Sequence, residues 1–322
     1  MFVLGLQGSP RKNGNTSSLL SVFMKESKRL GTITDTVEVS EKNILPCKGC
    51  HACEKSGVCV NIDDFTNEIT YLLWKADLIV SASPIFFYSV TAQLKALIDR
   101  SQVMWARKYK LNLEDPGRKW RKGLLIALGA TKGKNLFEGV NLTAKYFYDA
   151  VGTEFTDSLT YRQIEDPGDV EKHPSAIKET MEKANELIRP VLNRKKVLFV
   201  CGENACRSQM AEAFTQYYAG DKLQIISAGN RPAEKVNNLM KEVMSEKGID
   251  MYFRKPKSID DAIHGTDPDM VFTMGCEVSC PVFPGAVVED WGLADPAGES
   301  IDFMRNVRDD IEQRVLKLID RL

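Results

Sequence analysis

Short apolar runs alternate with amphipathic stretches along the first half of the chain. Residues 2–6, 76–82 and 122–128 are mostly hydrophobic, which is typical of strands that are buried on both faces. Apolar residues at helical spacing fill the segments 16–30 and 92–100. This alternation predicts a parallel sheet that is covered by helices on both faces.

The pattern starts again after a polar, basic joint at 189–196. A helix over 176–188 is predicted to close the first series. A second apolar strand at 197–200 enters a loop and a helix, and a later strand is predicted at 271–274. The last amphipathic stretch predicts a helix over 303–322.

We therefore predict an α/β protein with two doubly wound parallel-sheet domains in tandem, at residues 1–192 and 196–322. A length of 322 residues lets each domain bury its own core. With 43 Lys and Arg against 44 Asp and Glu, the charge balance argues against a nucleic-acid partner. No apolar run approaches the roughly 20 residues of a membrane span. The eight cysteines predict reactive or ligating thiols in a cytoplasmic protein.

A loop rich in glycine and hydroxyl groups, GSPRKNGNTS at residues 8–17, follows the first predicted strand. Its backbone N–H groups and the helix N-terminus suit a phosphate, and Arg11 can add a charge-assisted contact. The alternative is an ordinary turn before a helix that is capped by Asn15 or Thr16. The segment SPIFFY at 83–88 follows a later strand, where the other wall of a ligand crevice forms. Packing of its aromatic residues in the core is the alternative there.

With LKALIDR at 94–100, these motifs resemble the NADPH-dependent FMN reductase branch of the flavodoxin-like superfamily, over about residues 1–190. The resemblance implies FMN as cofactor and a homo-oligomer, most simply a dimer. It also implies two sets of FMN ligands. The phosphate would contact Ser9, Arg11, Asn15, Thr16 and Ser17, and the ring would contact Pro84, Ile85, Phe86 and Phe87.

Four cysteines lie close together in one predicted loop, at Cys47, Cys50, Cys53 and Cys59. Four thiolates in so short a span can converge on one [4Fe–4S] cluster. A tetrahedral zinc site and a loop that binds no metal are the alternatives. The spacing resembles that of the iron–sulfur flavoproteins, which implies the cluster. His51, inside the loop, is predicted to be a solvated spacer.

The second predicted domain opens with a strand that runs into CGENACRS. The Cys-x5-Arg spacing predicts that backbone N–H groups surround a tetrahedral oxyanion, with Arg207 bound to two of its oxygens. The same positive field favours the thiolate of Cys201. Ser208 is placed to donate to that thiolate, and Asn204 to brace the loop. Cys206 is predicted to be structural.

The loop resembles the low-molecular-weight protein tyrosine phosphatases. DWGLADPAG then supplies Asp295 at the place of their general acid, without the aromatic wall that a phosphotyrosine ring needs. Over residues 196–322 the chain also resembles the thioredoxin-coupled arsenate reductases, because TMGCEVSCP supplies Cys276 and Cys280. The gap between these two cysteines is shorter than in the staphylococcal type. Two buried small hydrophobic residues, or a second metal site, are the alternatives for this pair.

These resemblances imply an arsenate reductase. Cys201 would attack arsenate, Asp295 would protonate the departing oxygen, and Cys276 and Cys280 would carry the disulfide away. Electrons would come from the fused FMN and iron–sulfur domain, supplied by NAD(P)H or ferredoxin, or from thioredoxin. One alternative is a phosphatase that is fused to an NAD(P)H-dependent quinone reductase. The other is a reductase whose second half is an arsenic or redox sensor.

Overall fold

The computed structural model describes residues 1–263, 267–275 and 283–322. These residues divide into two compact units. The first comprises Met1–Asn112 and Trp120–Leu192, and the second comprises Leu113–Lys119 and Asn193–Leu322.

The first unit is built on a parallel sheet. Its strands are β1 (Phe2–Gln7), β2 (Ile33–Glu38), β3 (Leu78–Pro84), β4 (Lys122–Gly129) and β5 (Glu154–Arg162). Their order is β2-β1-β3-β4-β5, and every neighbouring pair is parallel. This is the flavodoxin-like order, in which the carboxyl ends of β1 and β3 flank the point where the winding reverses.

The helices of the first unit cover both faces of this sheet. They bury apolar stripes at helical spacing, such as Leu19, Leu20 and Phe23 on the first helix. They are α1 (Asn15–Arg29), α2 (Ala52–Ser56), α3 (Thr70–Lys75), α4 (Ala92–Arg100), α5 (Gln102–Tyr109), α6 (Glu138–Ala150), α7 (Asp169–Lys172) and α8 (Ala176–Leu192). A 3₁₀ turn lies at Val39–Glu41, and a π-helical turn at Phe65–Ile69 leads into α3.

The joint between the units is shorter than the predicted 189–196, because α8 continues through Pro190 to Leu192 and the next strand begins at Lys195. Its buried residues recur every four positions, from Ala176 to Ile188, so the packed face extends along the helix. That packing outweighs the tendency of Pro190, in the last turn, to end the helix earlier.

The second unit has a parallel sheet of order β7-β6-β8-β9. Its strands are β6 (Lys195–Cys201), β7 (Leu223–Gly229), β8 (Met270–Thr273) and β9 (Val287–Asp290), and its helices are α9 (Arg207–Ala219), α10 (Asn238–Glu246), α11 (Ile259–Ile263) and α12 (Ile301–Asp320). Phe199, Phe272 and Trp291 pack together in its core at centroid distances of 5.2–5.5 Å. The predicted α/β class with two parallel sheets is confirmed. Among the helices of the described residues, none is long and apolar enough to span a membrane.

Candidate active site

The second unit contains an anion loop, residues 202–206, between β6 and α9. The segment 231–237 donates backbone N–H groups at 2.9–3.0 Å to three loop carbonyls, those of Gly202, Glu203 and Ala205. Because the C=O and N–H of a trans peptide point in opposite directions, the N–H groups of these peptides face the inside of the loop. The loop is therefore arranged to receive an anion.

The sulfur of Cys201, at the end of β6, makes two hydrogen bonds. The backbone N–H of Asn204 donates to Sγ at 3.1 Å, and the hydroxyl of Ser208 lies 3.0 Å from it. Ser208 Oγ also accepts a hydrogen bond from Asn204 Nδ2 at 2.8 Å. Two hydrogen bonds therefore hold the sulfur against the loop and the first turn of α9.

Asn204 organises the loop from a left-handed backbone conformation with φ of 51°. Asparagine adopts this region more readily than most residues. Its Oδ1 accepts hydrogen bonds at 2.9 Å from Gln209 Nε2 and from the backbone N–H of Lys257. These two donors fix the amide so that Nδ2 reaches both Ser208 Oγ and Ser227 Oγ, the latter at 2.9 Å.

A buried ion pair lies behind that amide. Ser227 Oγ donates to Glu212 at 2.5 Å, while Arg254 Nη1 and Lys257 Nζ lie 2.9 and 3.5 Å from the same carboxylate. Burial raises the pKa of Glu212, but the two cations and the Ser227 hydroxyl outweigh it and hold the pKa below its usual value. The ionised carboxylate accepts a hydrogen bond from the Ser227 hydroxyl, so Ser227 Oγ is available to accept from Asn204 Nδ2.

Arg207 opens α9 with a side chain that is 5% exposed. Its Nη1 donates to the carbonyls of Met274 at 3.3 Å and Leu293 at 2.9 Å, and its Nη2 donates to Asp295 Oδ2 at 2.7 Å. The other oxygen of Asp295 accepts from the backbone N–H of Ala297 at 3.1 Å. The predicted anion-binding cation and the predicted general acid therefore contact each other.

The remaining thiols of this unit differ in what the structure describes. Burial, with repulsion from Cys201, raises the pKa of the Cys206 thiol to about 12, so it is a neutral thiol near pH 7. The predicted redox pair, Cys276 and Cys280, lies outside the described residues.

The chain leading to that pair is held at the ends of β8 and β9. Asp290 Oδ1 accepts from Thr273 Oγ1 at 2.6 Å and from the backbone N–H of Gly275 at 2.9 Å. Gly275 has φ of 77°, and a Cβ there would lie 2.6 Å from the backbone of Gly292, so only glycine fits. Gly275 is therefore held in one position. It directly follows Met274, whose carbonyl accepts a hydrogen bond from Arg207.

In the first unit, the two predicted flavin segments line one cavity of about 200 Å³. It lies at the carboxyl ends of β1 and β3, where doubly wound folds bind ligands. The predicted residues that line it are Ser9, Arg11, Asn15, Thr16, Pro84, Ile85 and Phe86.

The loop before α1 leaves the helix N-terminus open. The N-cap is Gly14, and within the described residues no side chain caps the helix, so the alternative of a cap at Asn15 or Thr16 is wrong. The Asn15 side chain instead contacts backbone groups of the segment 166–170 at 2.9–3.3 Å. Ser17 Oγ donates to the Gly14 carbonyl at 2.8 Å. With no acidic residue in the first turn, the N-terminus of α1 suits a phosphate.

The aromatic residues after β3 are not in the core, so that alternative is also wrong. Phe86, Phe87 and Tyr88 are 49%, 103% and 52% exposed. Phe87 and Tyr88 have φ of 48° and 63°, a region that bulky residues rarely adopt. The side chains turn to solvent because the backbone bends there before reaching buried Val90. Exposed rings beside the cavity fit a flat aromatic ligand, so the residues present fit FMN.

All four cysteines of the first predicted set line a separate cavity of about 450 Å³. Cys47 and Cys50 are exposed, whereas Cys53 and Cys59 are half-buried. Burial raises the pKa of the Cys53 thiol, and the other three thiols add to the effect. Within the described ranges no group of three or more Cys, His, Asp and Glu is arranged as a metal site. His51 is mostly exposed. The donor set and the shared cavity fit an iron–sulfur cluster in chemistry.

Arg100, which the sequence did not single out by itself, joins both flanks of the cysteine loop. Its guanidinium donates to the carbonyl of Leu45 at 2.8 Å, to the carboxylate of Asp63 at 2.5 and 3.1 Å, and to Thr66 Oγ1 at 3.0 Å. Arg100 and Asp63 are 1% and 0% exposed. The sequence gives one signal of this buried role. Arg100 lies three residues after Leu97, which places both on the buried face of α4.

Two families match this chain. Residues 1–140 match the NADPH-dependent FMN reductases, and residues 196–322 match the low molecular weight phosphotyrosine protein phosphatases. Both resemblances drawn from the motifs are thereby confirmed.

Relatives of the second part are arsenate reductases by name. A putative arsenate reductase of Halobacterium salinarum is 39% identical over 38% of this chain and 89% of its own length. Arsenate reductase 2 of Staphylococcus epidermidis is 36% identical over 38% of this chain and 95% of its own length.

A relative of the first part is an iron–sulfur flavoprotein. The protein from Methanosarcina thermophila is 39% identical over 34% of this chain, and the match spans 58% of its own length. The fold and these relatives define the class of the protein, which is an oxidoreductase. In its second part the chain belongs to the low molecular weight phosphotyrosine protein phosphatase family, and its first 140 residues match the model of the NADPH-dependent FMN reductases.

Proposed function

We propose that this protein reduces arsenate to arsenite at Cys201, with electrons from its own flavin domain. The observation that carries the proposal is the pair of hydrogen bonds that Asn204 and Ser208 make with the Cys201 sulfur, with Arg207 in the first turn of the following helix. Relatives that are named arsenate reductases and span most of this unit support the substrate.

In the first step the Cys201 thiolate attacks arsenic and forms an S–As bond. The inward N–H groups of the loop and Arg207 neutralise the charge on the arsenate oxygens. The hydroxyl group of the bound hydrogen arsenate leaves as water after taking a proton from the carboxyl group of Asp295, which is left as a carboxylate. Asn204 and Ser208 keep the sulfur in position throughout, because their hydrogen bonds are made within the same loop and helix.

In the second step Cys276 attacks the Cys201 sulfur. The electron pair of the S–As bond remains on arsenic, which becomes As(III) and leaves as arsenite, and a Cys201–Cys276 disulfide forms. Cys280 then attacks Cys276, which frees Cys201 and leaves a Cys276–Cys280 disulfide.

The first unit is proposed to reduce that disulfide. The N-terminus of α1 with Ser9, Arg11 and Thr16 would hold the phosphate of FMN, and Pro84, Ile85, Phe86 and Phe87 would lie along its ring. FMN, when bound, supplies electrons singly or in pairs. We assign Asn15 a second role, in which its side chain holds the segment 166–170 over the cavity.

The four cysteines are proposed to hold a [4Fe–4S] cluster that supplies single electrons. The cavity they share supports this assignment. The buried Arg100–Asp63 pair keeps the two ends of the cysteine loop together and so orients the thiols. NAD(P)H or ferredoxin is the proposed electron source, a dimer is the proposed assembly, and thioredoxin is the alternative reductant of the disulfide.

The test is anaerobic arsenite production by protein reconstituted with FMN and iron–sulfide. NAD(P)H or reduced ferredoxin is the donor, with and without added thioredoxin. Arsenite without thioredoxin is the expected result. Arsenite only with thioredoxin contradicts the electron route, and no arsenite in either case contradicts the substrate.

A phosphatase is the second candidate, favoured by the family match of the second part and by the Arg207–Asp295 arrangement. Replacing Cys276 by Ser separates the two functions, because hydrolysis of p-nitrophenyl phosphate needs only one nucleophilic thiol. A phosphatase retains its turnover in this variant, whereas arsenate reduction stops.

A further inference from the structure

We propose that Asp295 acts as a latch on the anion loop: its carboxylate occupies Arg207 and must be displaced before an oxyanion binds. The inference rests on the proposed function in that it concerns the same anion loop. It adds a competitor that is built into the chain.

The latch follows from the way the guanidinium is held. Nη1 of Arg207 is committed to the carbonyls of Met274 and Leu293. An arginine contacts an anion through two nitrogens, either Nη1 with Nη2 or Nε with Nη2. Both arrangements use Nη2, and one of its two N–H bonds already donates to Asp295 at 2.7 Å, so an anion that approaches Nη2 competes with this carboxylate.

The carboxylate is held in place and yet free to leave. Asp295 Oδ1 accepts from the Ala297 N–H, which keeps the carboxylate facing Arg207. The Asp295 side chain is 60% exposed, so water can hydrate it once it is released. The buried Arg207, by contrast, is restrained by two backbone carbonyls. The anion therefore displaces Asp295 and leaves Arg207 where it is.

A latch and a simple electric field make different predictions. A latch lowers the affinity of every anion by the same factor, because the closed and open forms are in equilibrium before any ligand binds. Repulsion from a negative field adds a binding free energy that is proportional to the charge of the ligand. The factor by which it weakens a divalent anion is therefore the square of the factor for a monovalent one. Sulfate and perchlorate separate the two, since both are tetrahedral and their charges do not change near pH 7.

The experiment is calorimetric titration of the reduced full chain with sulfate and with perchlorate at constant ionic strength. Asp295→Asn is expected to tighten both anions by the same factor, roughly five- to tenfold, from the loss of one charge-assisted contact. Asp295→Ser is expected to do the same while its hydroxyl keeps the turn to Ala297.

Glu299→Gln is the matched control. Glu299 is exposed in the turn that follows Asp295, where its backbone N–H donates to the carbonyl of Pro296, and it lies outside the anion loop. The control therefore removes one nearby charge without touching Arg207. It is expected to change both affinities by less than about twofold.

The outcomes separate the latch from the proposed function. Equal affinities in the wild type and both Asp295 variants overturn the latch and leave the anion loop intact. A gain for sulfate that is the square of the gain for perchlorate also overturns it, in favour of the field. If neither anion, nor inorganic phosphate, binds any folded variant, the anion loop fails and the proposed function fails with it.

Discussion

Each unit begins with a strand, a loop and the N-terminus of a helix, but the two loops are built differently. In the second unit Asn204, Arg207 and Ser208 are buried, and each has fixed partners. In the first unit Arg11 is exposed, and the side chain of Asn15 points to another segment of the chain. In the second unit the side chains of the loop are fixed around a single sulfur. In the first unit the loop leaves the N-terminus of its helix open.

The difference fits the two tasks that are proposed for the units. Covalent chemistry at Cys201 requires donors that already point at the reacting atom, since reorganisation during the reaction raises the barrier. A phosphate that only anchors a cofactor is bound well enough by the N–H groups of a helix end. Changes in the second loop should therefore reduce turnover, and changes in the first should reduce cofactor affinity.

The largest expected effect is at the nucleophile. Cys201→Ser should lower single-turnover arsenite release by at least about 10³-fold, because the alcohol is not ionised near pH 7. Cys206→Ala is the matched control, since the raised pKa keeps that thiol neutral. It should retain activity within about tenfold, measured by the same assay. Comparable losses in both variants would show that Cys206 takes part in the chemistry.

The packing of the anion loop against β7 predicts the next effect. A Cβ at Gly229 would lie 2.7 Å from the Asn204 nitrogen and 2.8 Å from the Glu203 carbonyl carbon, so Gly229→Ala must shift the loop backbone. We expect a loss of roughly 1–3 kcal/mol in unfolding free energy and about 100-fold in turnover. Gly202→Ala, in the same loop but facing open space, should change either by little. Denaturant unfolding and arsenite release measure both.

The sequence predicted the buried strands well and missed those at the sheet edges. Strands β1 and β3 are apolar because helices cover both of their faces. In β2, Val37 is the buried residue, and all four residues of β9 are exposed, so neither has a continuous apolar run. An edge strand shares only one hydrogen-bonded neighbour, and its polar residues hide it from a search for hydrophobicity.

The site was predictable only where its residues are close in the chain. The nine residues from Val200 to Ser208 bring the sulfur, its donors and Arg207 together, and their spacing alone indicated this. Ser227 and Glu212 complete the support of Asn204 from other elements, and no motif marks them. The one signal is that Glu212 lies among the apolar residues of α9, because a buried carboxylate needs a partner.

A smaller effect should follow from removing one donor to the sulfur. Ser208→Ala leaves the Asn204 N–H as the remaining donor to Cys201 among those described. In the proposed mechanism the Ser208 hydroxyl donates to the attacking sulfur, so without it alkylation of Cys201 by iodoacetamide at pH 7 should slow by about tenfold. Mass spectrometry of the Cys201 peptide measures this rate.

The corresponding change in the first loop is Ser17→Ala. Its hydroxyl donates to the Gly14 carbonyl, a backbone group that water can satisfy instead. FMN affinity should change by less than about threefold. A tenfold loss of FMN affinity would show that the side chains of the first loop are as important to its site as those of the second loop. That result would contradict the difference between the two loops.

A moderate effect on cofactor affinity is expected at Phe87, whose ring is fully exposed and which follows Phe86 of the cavity lining in the chain. Phe87→Ala removes no core packing, so the unfolding free energy should be unchanged, while the lost stacking should weaken FMN by about fivefold. Tyr146→Ala is the matched control, because it removes a ring that is 63% exposed on α6. Fluorescence titration of FMN into the two apoproteins gives both affinities. If Phe87→Ala lowers stability instead of affinity, the ring packs against protein in solution, and the left-handed backbone at Phe87 serves the fold and not the cofactor.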